Sequence, residues 1–233
     1  MTASGEFTGK ITLITPSWVI PGTYLENLRF LDSKSEVGGV ELLFFLYDDE
    51  IRAEFLRELP GILDFAERFV FTAHLPDSLK AEHEELVGLL SPLVKHFIVH
   101  PAEEADAEAR LLETWMSRYG RRRFLLENTA PGLFEALLAC LGGDAPVCMD
   151  TAHLLMEGRR PADFARCYGG QILEVHLNGT GEDGGDGHKP PRAEDTWFLE
   201  LAPFLRSFSG MVNLELFSWD EVQQGIDCLE KNV

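Results

Sequence analysis

Eight short apolar runs recur along the chain, each separated from the next by about the length of one helix. The runs lie at residues 11–15, 40–45, 70–75, 96–101, 124–129, 146–151, 172–177 and 211–216. Each run is hydrophobic almost throughout, which is typical of parallel strands covered on both faces rather than of half-exposed, alternating strands. The pattern therefore predicts a buried parallel sheet.

The stretches between the runs have helical spacing and helix-end signals. In residues 130–143, for example, Pro131 lies near the predicted helix start and Gly142 at its end. Eight strand–helix units in 233 residues match a closed barrel. An open doubly wound sheet would need fewer strands or a second domain, and no linker divides the chain. We therefore predict an α/β protein made of one (β/α)8 TIM barrel over residues 1–233.

Charge and composition exclude several classes of protein. The chain has 20 Lys and Arg against 39 Asp and Glu, a net charge of −19. Because affinity for phosphate backbones comes largely from cationic side chains, we expect no nucleic-acid partner. No run approaches the roughly 18 apolar residues of a membrane helix, and residues 1–10 lack a signal-peptide pattern. We expect a cytoplasmic protein without a membrane partner. The four cysteines form no CxxC pair, which argues against a zinc ribbon.

Most of the apolar runs end in a polar, titratable residue, and six such residues stand out: His74, His100, Glu127, Asp150, His176 and Glu215. In a parallel barrel the carboxyl ends of the strands converge on one mouth. A single histidine at such a position is more often a hydrogen-bonded packing residue than a ligand. Three imidazoles and three carboxylates together would leave unpaired buried charge unless cations lie among them. The joint pattern therefore predicts a metal site at the carboxyl ends of the strands.

Two further stretches add possible ligands. His153 follows Asp150 by three residues, where the chain turns into a helix, and a long Gly-rich loop after the seventh run carries Asp186 and His188. A D-x-H pair places both side chains on the same side of an extended segment, which suits one ion. The loop also reads as a flexible acidic connection, but long loops in compact domains are usually functional. Nine residues are thus candidate metal ligands.

These motifs, taken in order over roughly residues 70–216, resemble the xylose isomerase-like barrels, which include the family 2 AP endonucleases and sugar isomerases and epimerases. The pieces that carry the resemblance are AHLP, VHP, ENT, MDTAH, the HLN…DGH segment and the terminal LEL strand. Single-metal isomerases of that superfamily use a Glu, Asp, His, Glu quartet, which Glu127, Asp150, His176 and Glu215 would match. Endonuclease IV-like enzymes add five further ligands and hold three zinc ions.

The resemblance implies three ion positions in this chain. His74, His100 and Glu127 would hold the first ion, and Glu127 would bridge to a second held by Asp150, His176 and Glu215. His153, Asp186 and His188 would hold the third. Imidazole and carboxylate ligands suit Zn²⁺, and Mn²⁺ also fits this ligand set. Three divalent ions would outweigh the four carboxylates, so the site would be cationic although the protein is acidic.

A cationic cluster of this kind can bind a phosphodiester and stabilise the charge that develops on the leaving oxygen. The acidic chain offers mainly Arg121, Arg122 and Arg123, which precede the fifth run and so lie at the far end of the barrel. Arg159, Arg160, Lys189 and Arg192 lie nearer the mouth and could contact one phosphate. We therefore expect a metal-dependent hydrolase that acts on a small phosphorylated metabolite rather than on DNA.

A second resemblance concerns the opening region and the second run, which are similar to barrels that remodel cobamides. It implies a corrinoid as substrate, cleaved at the phosphodiester of its nucleotide loop. Five aromatic residues in this region could form an apolar shelf for such a ring, or could equally cover helix–strand packing: Trp18, Tyr24, Phe44, Phe45 and Tyr47.

Two alternatives stay open from the sequence. In a single-metal sugar or hydroxypyruvate-type isomerase or epimerase, Glu127 and Glu215 would be the catalytic residues and would shuttle a proton beside one ion. A protein that binds a metal or a corrinoid without turnover is the other alternative.

Overall fold

The structure, a computed structural model, describes residues 11–181, 183–185 and 187–233. Eight parallel strands pair in chain order, and the first pairs with the last, so the sheet closes into a barrel. The strands are β1 (Thr12–Pro16), β2 (Gly39–Leu43), β3 (Val70–His74), β4 (Val94–Val99), β5 (Phe124–Glu127), β6 (Val147–Asp150), β7 (Ile172–His176) and β8 (Met211–Asn213). Each lies within or beside one of the eight apolar runs, and the predicted (β/α)8 TIM barrel is confirmed.

Helices follow the strands and cover the outside of the barrel. The described residues contain nine α-helices: α1 (Tyr24–Leu31), α2 (Asp49–Leu63), α3 (Glu84–Leu90), α4 (Ala105–Tyr119), α5 (Leu133–Cys140), α6 (Thr151–Met156), α7 (Pro161–Tyr168), α8 (Thr196–Ser207) and α9 (Trp219–Asn232). Local signals start several of them. Thr23 forms a capping box with Glu26 at α1, Asp48 caps α2, and Pro161 occupies the first turn of α7.

The main hydrophobic core lies between the barrel and its helices. It contains large, fully buried side chains such as Trp115, Phe55 and Phe97. A smaller apolar cluster is separate from it and contains one residue each from β4, β5 and β6: Ile98, Leu125 and Cys148. Since successive side chains of a strand point to opposite faces, these three lie on the other side of the sheet from their chain neighbours in the main core. In the described part of the chain, no helix has the length and apolar character needed to cross a membrane.

Several residues inside the barrel are polar. Barrel interiors are usually filled by Val, Ile and Leu, whereas here Glu41, Thr72, Glu174 and Asn213 are completely buried. Because every strand is parallel, the carboxyl ends of all eight lie at one rim, and the six strand-end residues of the sequence pattern lie at or just beyond that rim.

Candidate metal centre

Strand ends position the candidate ligands. His74, Glu127, Asp150 and His176 are the last residues of β3, β5, β6 and β7, as the apolar runs predict. His100 lies one residue beyond β4 and Glu215 two residues beyond β8, because ladder pairing stops earlier at those strands. The polar side chains at the ends of six strands therefore meet at one rim of the barrel.

The first group of donors contains His74, His100 and Glu127. The two Nε2 atoms of the histidines lie 3.0 Å apart, and Glu127 Oε2 lies 3.4 Å from the first and 3.3 Å from the second. Ligands of a tetrahedral zinc ion with bonds of about 2.0 Å are about 3.3 Å apart. The triangle of donor atoms therefore has the dimensions of one face of a zinc coordination tetrahedron.

The second group contains Asp150, His176 and Glu215, with donor atoms within 4.8 Å of one another. Nδ1 of His176 lies 3.4 Å from Glu215 Oε2 and 3.7 Å from Glu127 Oε2, so Glu127 adjoins both groups. Asn178 donates from Nδ2 to Glu215 at 2.8 Å and to Asp150 at 3.1 Å. These two hydrogen bonds fix the orientation of the Glu215 and Asp150 carboxylates.

His153 lies beside both groups, on the first turn of α6. Asp150 caps this helix by accepting a hydrogen bond from the His153 backbone N–H at 2.7 Å, which explains why the two residues are three apart. Nδ1 of His153 lies 2.9 Å from the backbone carbonyl of Asn128, to which it can donate, and 3.4 Å from Glu127 Oε1. Donation to the carbonyl would place the hydrogen on Nδ1 and the lone pair on Nε2, the form in which a histidine binds a metal through Nε2.

His188 comes from the long loop after β7. Gly179 and Lys189 pair as an antiparallel bridge that joins the two ends of this loop. His188 has a φ of 41°, a left-handed conformation that non-glycine residues adopt rarely and that occurs preferentially at functional sites. Its Nδ1 lies 3.6 Å from Glu215 Oε2. Asp186 lies outside the described residues, so the third ligand set stays a prediction.

The electrostatics of the rim favour positive charge between the donors. Burial alone would raise the pKa of Glu127, but His100 and His176 outweigh it and hold that pKa well below its usual value. Burial would likewise lower the pKa of His100, yet Glu127 and Asp77 raise it to about 10. The carboxylates thus stabilise a cationic partner.

Unpartnered atoms test whether a metal fits this site. In the part of the chain that the structure describes, Glu127 Oε2 and Nδ1 of His176 are buried without a hydrogen-bond partner. Other atoms that could bind a metal surround both of them. Leaving a buried polar atom unsatisfied costs about 1–3 kcal/mol, and native proteins rarely do so. Lone pairs that converge without hydrogen bonds suit a cation, and imidazole with carboxylate suits Zn²⁺ or Mn²⁺. The donor set therefore fits a divalent metal.

A second polar layer lies inside the barrel beneath the rim, and the strand-end pattern gives no role to its members. This inner layer consists of Glu41, Thr72, His96, Glu174 and Asn213, all buried. Glu41 and Glu174 also form a compact group with His176. The sequence signal that could have found them is a carboxylate in the middle of an apolar run, as in 40–45 and 172–177.

Two asparagines at the strand ends also lack a role in the sequence pattern. Asn128 exchanges two hydrogen bonds of 2.9 Å with the backbone of Asp150, which ties β5 to β6 at the rim. Asn178 orients two carboxylates and also accepts from the Ala152 backbone at 3.0 Å. Both lie within motifs named above, ENT and HLN, but only the fold shows that they support the ligands.

An apolar cavity of about 400 Å³ adjoins the metal centre on the side of β1 and β2. Trp18, Phe45 and Leu46 line it, and the ring of Phe45 lies 4.5 Å from that of His74. Of the five aromatic residues that could form a shelf or cover helix–strand packing, Trp18, Tyr24 and Phe45 line this cavity. Phe44, the residue after β2, is instead fully buried in the core, where it packs against Tyr24, Tyr47 and Phe55 of α2.

Most of the cations expected to contact a phosphate near the mouth are already paired with carboxylates. The pairs are Arg159 with Glu135, Arg160 with Glu200 and Lys189 with Glu221. These three cations form ion pairs with neighbouring acidic side chains, as expected on a protein with more acidic than basic residues.

No known protein family and no curated protein matches the amino-acid sequence. Solved structures do match the fold. L-ribulose 3-epimerase superposes with a TM-score of 0.66 at 15% identity, covering 96% of this chain and 86% of that chain. A xylose isomerase domain containing protein from Salmonella typhimurium gives 0.64 at 14% identity, covering 96% and 95%. Endonuclease IV from Thermus thermophilus gives 0.59 at 15% identity, covering 94% and 98%.

These similarities confirm the predicted resemblance to xylose isomerase-like barrels at the level of the fold. Identities of 14–15% carry no information about a shared reaction. The resemblance to cobamide-remodelling hydrolases and the occupation of three ion positions stay predictions.

Proposed function

We propose that this protein is a metal-dependent hydrolase that cleaves a phosphodiester in a small phosphorylated metabolite. The observation that carries the proposal is the donor triangle of His74, His100 and Glu127 beside the group of Asp150, His176 and Glu215. An enzyme that holds one ion in the group of Asp150, His176 and Glu215 has no need of His74 and His100. An enzyme that holds two neighbouring ions, with Glu127 shared between them, needs these two histidines for the second ion. Divalent ions held there would supply Lewis-acid stabilisation to a phosphodiester.

The side chains of this protein would divide the work between holding ions and binding substrate. Glu127 lies between the two groups and would be shared by them, and Asn178 keeps Glu215 and Asp150 in position. The apolar cavity that Trp18 and Phe45 line would receive a non-polar part of the metabolite. The nucleotide loop of a cobamide is the candidate substrate, since its phosphodiester is attached to a bulky corrinoid ring.

Metal content and turnover test the proposal together. We expect purified protein reconstituted with Zn²⁺ or Mn²⁺ to hold more than one ion per chain, and to hydrolyse bis(4-nitrophenyl) phosphate and a cobamide. Removing the ions with a chelator should abolish both activities. His188→Ala should reduce turnover by at least the roughly 10–100-fold that is typical for loss of a group supporting a metal site, if the His188 loop holds an ion. His83→Ala is the matched control, because His83 packs against Tyr47 and belongs to none of the candidate ligand groups of the described residues.

A single-metal isomerase or epimerase is the second candidate, and one observation favours it. Glu127, Asp150, His176 and Glu215 form a complete buried quartet, in which Glu127 and Glu215 flank the same imidazole. Two carboxylates in this arrangement can move a proton between adjacent carbons of a sugar. One ion per chain, near-normal turnover by His188→Ala and interconversion of a ketose would support this function and contradict the hydrolase.

A further inference from the structure

His176 places its two ring nitrogens in different surroundings. Nδ1 faces the metal centre, 3.4 Å from Glu215 Oε2, whereas Nε2 faces the inner layer, 3.3 Å from Glu41 Oε2. His176 and Glu41 are both completely buried. Within the described residues, Nε2 has no hydrogen-bond partner, and Glu41 is the nearer of the two carboxylates that face it.

The chemistry of the imidazole ring determines what such an arrangement does. A neutral histidine that binds a metal through one nitrogen carries a hydrogen on the other. An ionised carboxylate accepts hydrogen bonds and donates none. A carboxylate next to Nε2 therefore favours the tautomer with hydrogen on Nε2 and leaves the lone pair on Nδ1, which faces the metal centre.

Other histidines of the rim are oriented in the same way but through the opposite nitrogen. Nδ1 of His74 lies 3.0 Å from the backbone carbonyl of Leu75, and Nδ1 of His100 lies 3.1 Å from Asp77. Both residues thus present Nε2 to the centre. His176 presents Nδ1 instead, so its acceptor must lie on the barrel side, where Glu41 and Glu174 of the inner layer face Nε2.

Glu41 is held in the orientation that this role requires. Asn213 donates from Nδ2 to Glu41 Oε1 at 3.0 Å, and the hydroxyl of Thr72 lies 3.4 Å from Oε2. Glu174 lies farther away, with Oε1 3.9 Å from Nε2 of His176, and bonds chiefly to Thr72 and His96 at 3.2 and 3.3 Å. The two carboxylates are therefore distinguishable by distance and by partners.

We propose that Glu41 is a positioning residue of the metal centre, which accepts a hydrogen bond from Nε2 of His176 and so directs Nδ1 to the ion. The inference rests on the metal centre of the proposed function but not on its reaction. Outer groups of this kind typically change metal affinity by about 10–100-fold when they are altered.

The test compares Glu41→Gln with Glu174→Gln, two isosteric changes in the same layer. Zn²⁺ affinity is measured by competition with a chromophoric chelator, after circular dichroism shows that both variants fold. We expect Glu41→Gln to weaken binding by about 10–100-fold and Glu174→Gln to weaken it by less than about 3-fold. The stoichiometry of tightly bound Zn²⁺ should be unchanged in Glu174→Gln.

A measurement on the unaltered protein tests the tautomer directly. In Zn²⁺-loaded protein labelled with ¹⁵N-histidine, long-range ¹H–¹⁵N spectra should show His176 with a protonated Nε2, assigned through the signal missing in His176→Asn. A protonated Nδ1 would overturn the inference. Unchanged affinity in Glu41→Gln would also overturn it, as would equal weakening in both variants, which would indicate a general effect of buried charge.

Three results differ in what they mean for this inference and for the proposed function. An ion bound by Glu41 itself would appear as one extra Zn²⁺ per chain that is lost in Glu41→Gln, and that result would overturn the positioning role. Wild-type protein that takes up no Zn²⁺ would overturn the proposed function together with this inference. Protein that binds Zn²⁺ but hydrolyses no phosphodiester would overturn the proposed function alone, and the affinities of the variants would then decide the role of Glu41.

Discussion

His96 is a histidine of the barrel interior that titrates under the influence of its neighbours. Its side chain is buried, with Nδ1 3.3 Å from Glu174 Oε2. Burial, together with the nearby cations Lys95 and Arg123, lowers its pKa to about 4. The folded protein therefore keeps His96 neutral at pH values where the unfolded chain, with a pKa near 6.5, takes up a proton.

This difference predicts how stability depends on pH. Since the pKa is lower in the folded state, His96 contributes stability that is complete above about pH 6.5 and is lost as pH falls towards about 4. The shift corresponds to roughly 3 kcal/mol at most. We expect His96→Gln to lose less free energy of unfolding than wild type between these two values. Urea unfolding at several pH values, with excess chelator present, measures the free energy of unfolding of both proteins. The same dependence of that free energy on pH in wild type and His96→Gln would contradict the prediction.

At the scale of elements, the first residue of β2 lies in close contact with the neighbouring strands β1 and β3. Gly39 pairs with Ile14 of β1 and Val70 of β3. A Cβ atom at this position would clash with the backbone carbonyl of Val70 and would lie 2.6 Å from Cγ2 of Ile14. Glycine at the start of β2 therefore allows the three strands to approach, and the same strand carries Glu41 two residues later.

Adding one methyl group at this position should strain the barrel. We expect Gly39→Ala to destabilise the protein by about 1–3 kcal/mol, because a carbonyl of a central strand cannot move aside easily. Gly88→Ala is the matched control: it lies in α3, where a Cβ atom would meet only the Tyr119 hydroxyl at 3.4 Å. The control should be neutral or stabilising by up to about 1 kcal/mol. Equal urea midpoints for Gly39→Ala and wild type would show that the strands can adjust.

On the scale of the whole molecule, a strongly acidic protein surrounds a site that favours cations. The net charge is −19, and the cations near the mouth that are described above pair with carboxylates of their own surface. Such a surface repels a long polyanion, whose binding depends on many Lys and Arg contacts. A single phosphodiester group would meet much less of this repulsion, because the proposed substrate needs to reach only the rim where the candidate ligands converge.

The charge distribution therefore predicts discrimination between small and large phosphodiesters. At physiological salt, we expect no measurable binding to an abasic-site duplex by fluorescence anisotropy and little nicking of that duplex. The same preparation should hydrolyse bis(4-nitrophenyl) phosphate, which shows that the centre is loaded and active. An intact duplex and a single strand serve as controls for non-specific binding. Robust nicking of the abasic-site duplex would contradict this prediction.

The sequence by itself determined the barrel and the ends of its strands. Eight near-continuous apolar runs can be buried on both faces in a parallel sheet with helical connections, and six of the runs end where a charged or imidazole side chain must leave the apolar interior. His74, Glu127, Asp150 and His176 are therefore found at the rim from the pattern alone.

Only the tertiary structure decided which groups face one another across the barrel. Contacts such as that of Glu41 with His176 join β2 to β7, and their distance depends on the stagger of all the strands between them. A linear pattern shows that Glu41 interrupts an apolar run, but not which partner it meets. The choice of ring nitrogen at each histidine, and the supporting roles of Asn128 and Asn178, follow from the same closure, because hydrogen bonds depend on ångström-scale positions that residue spacing does not specify.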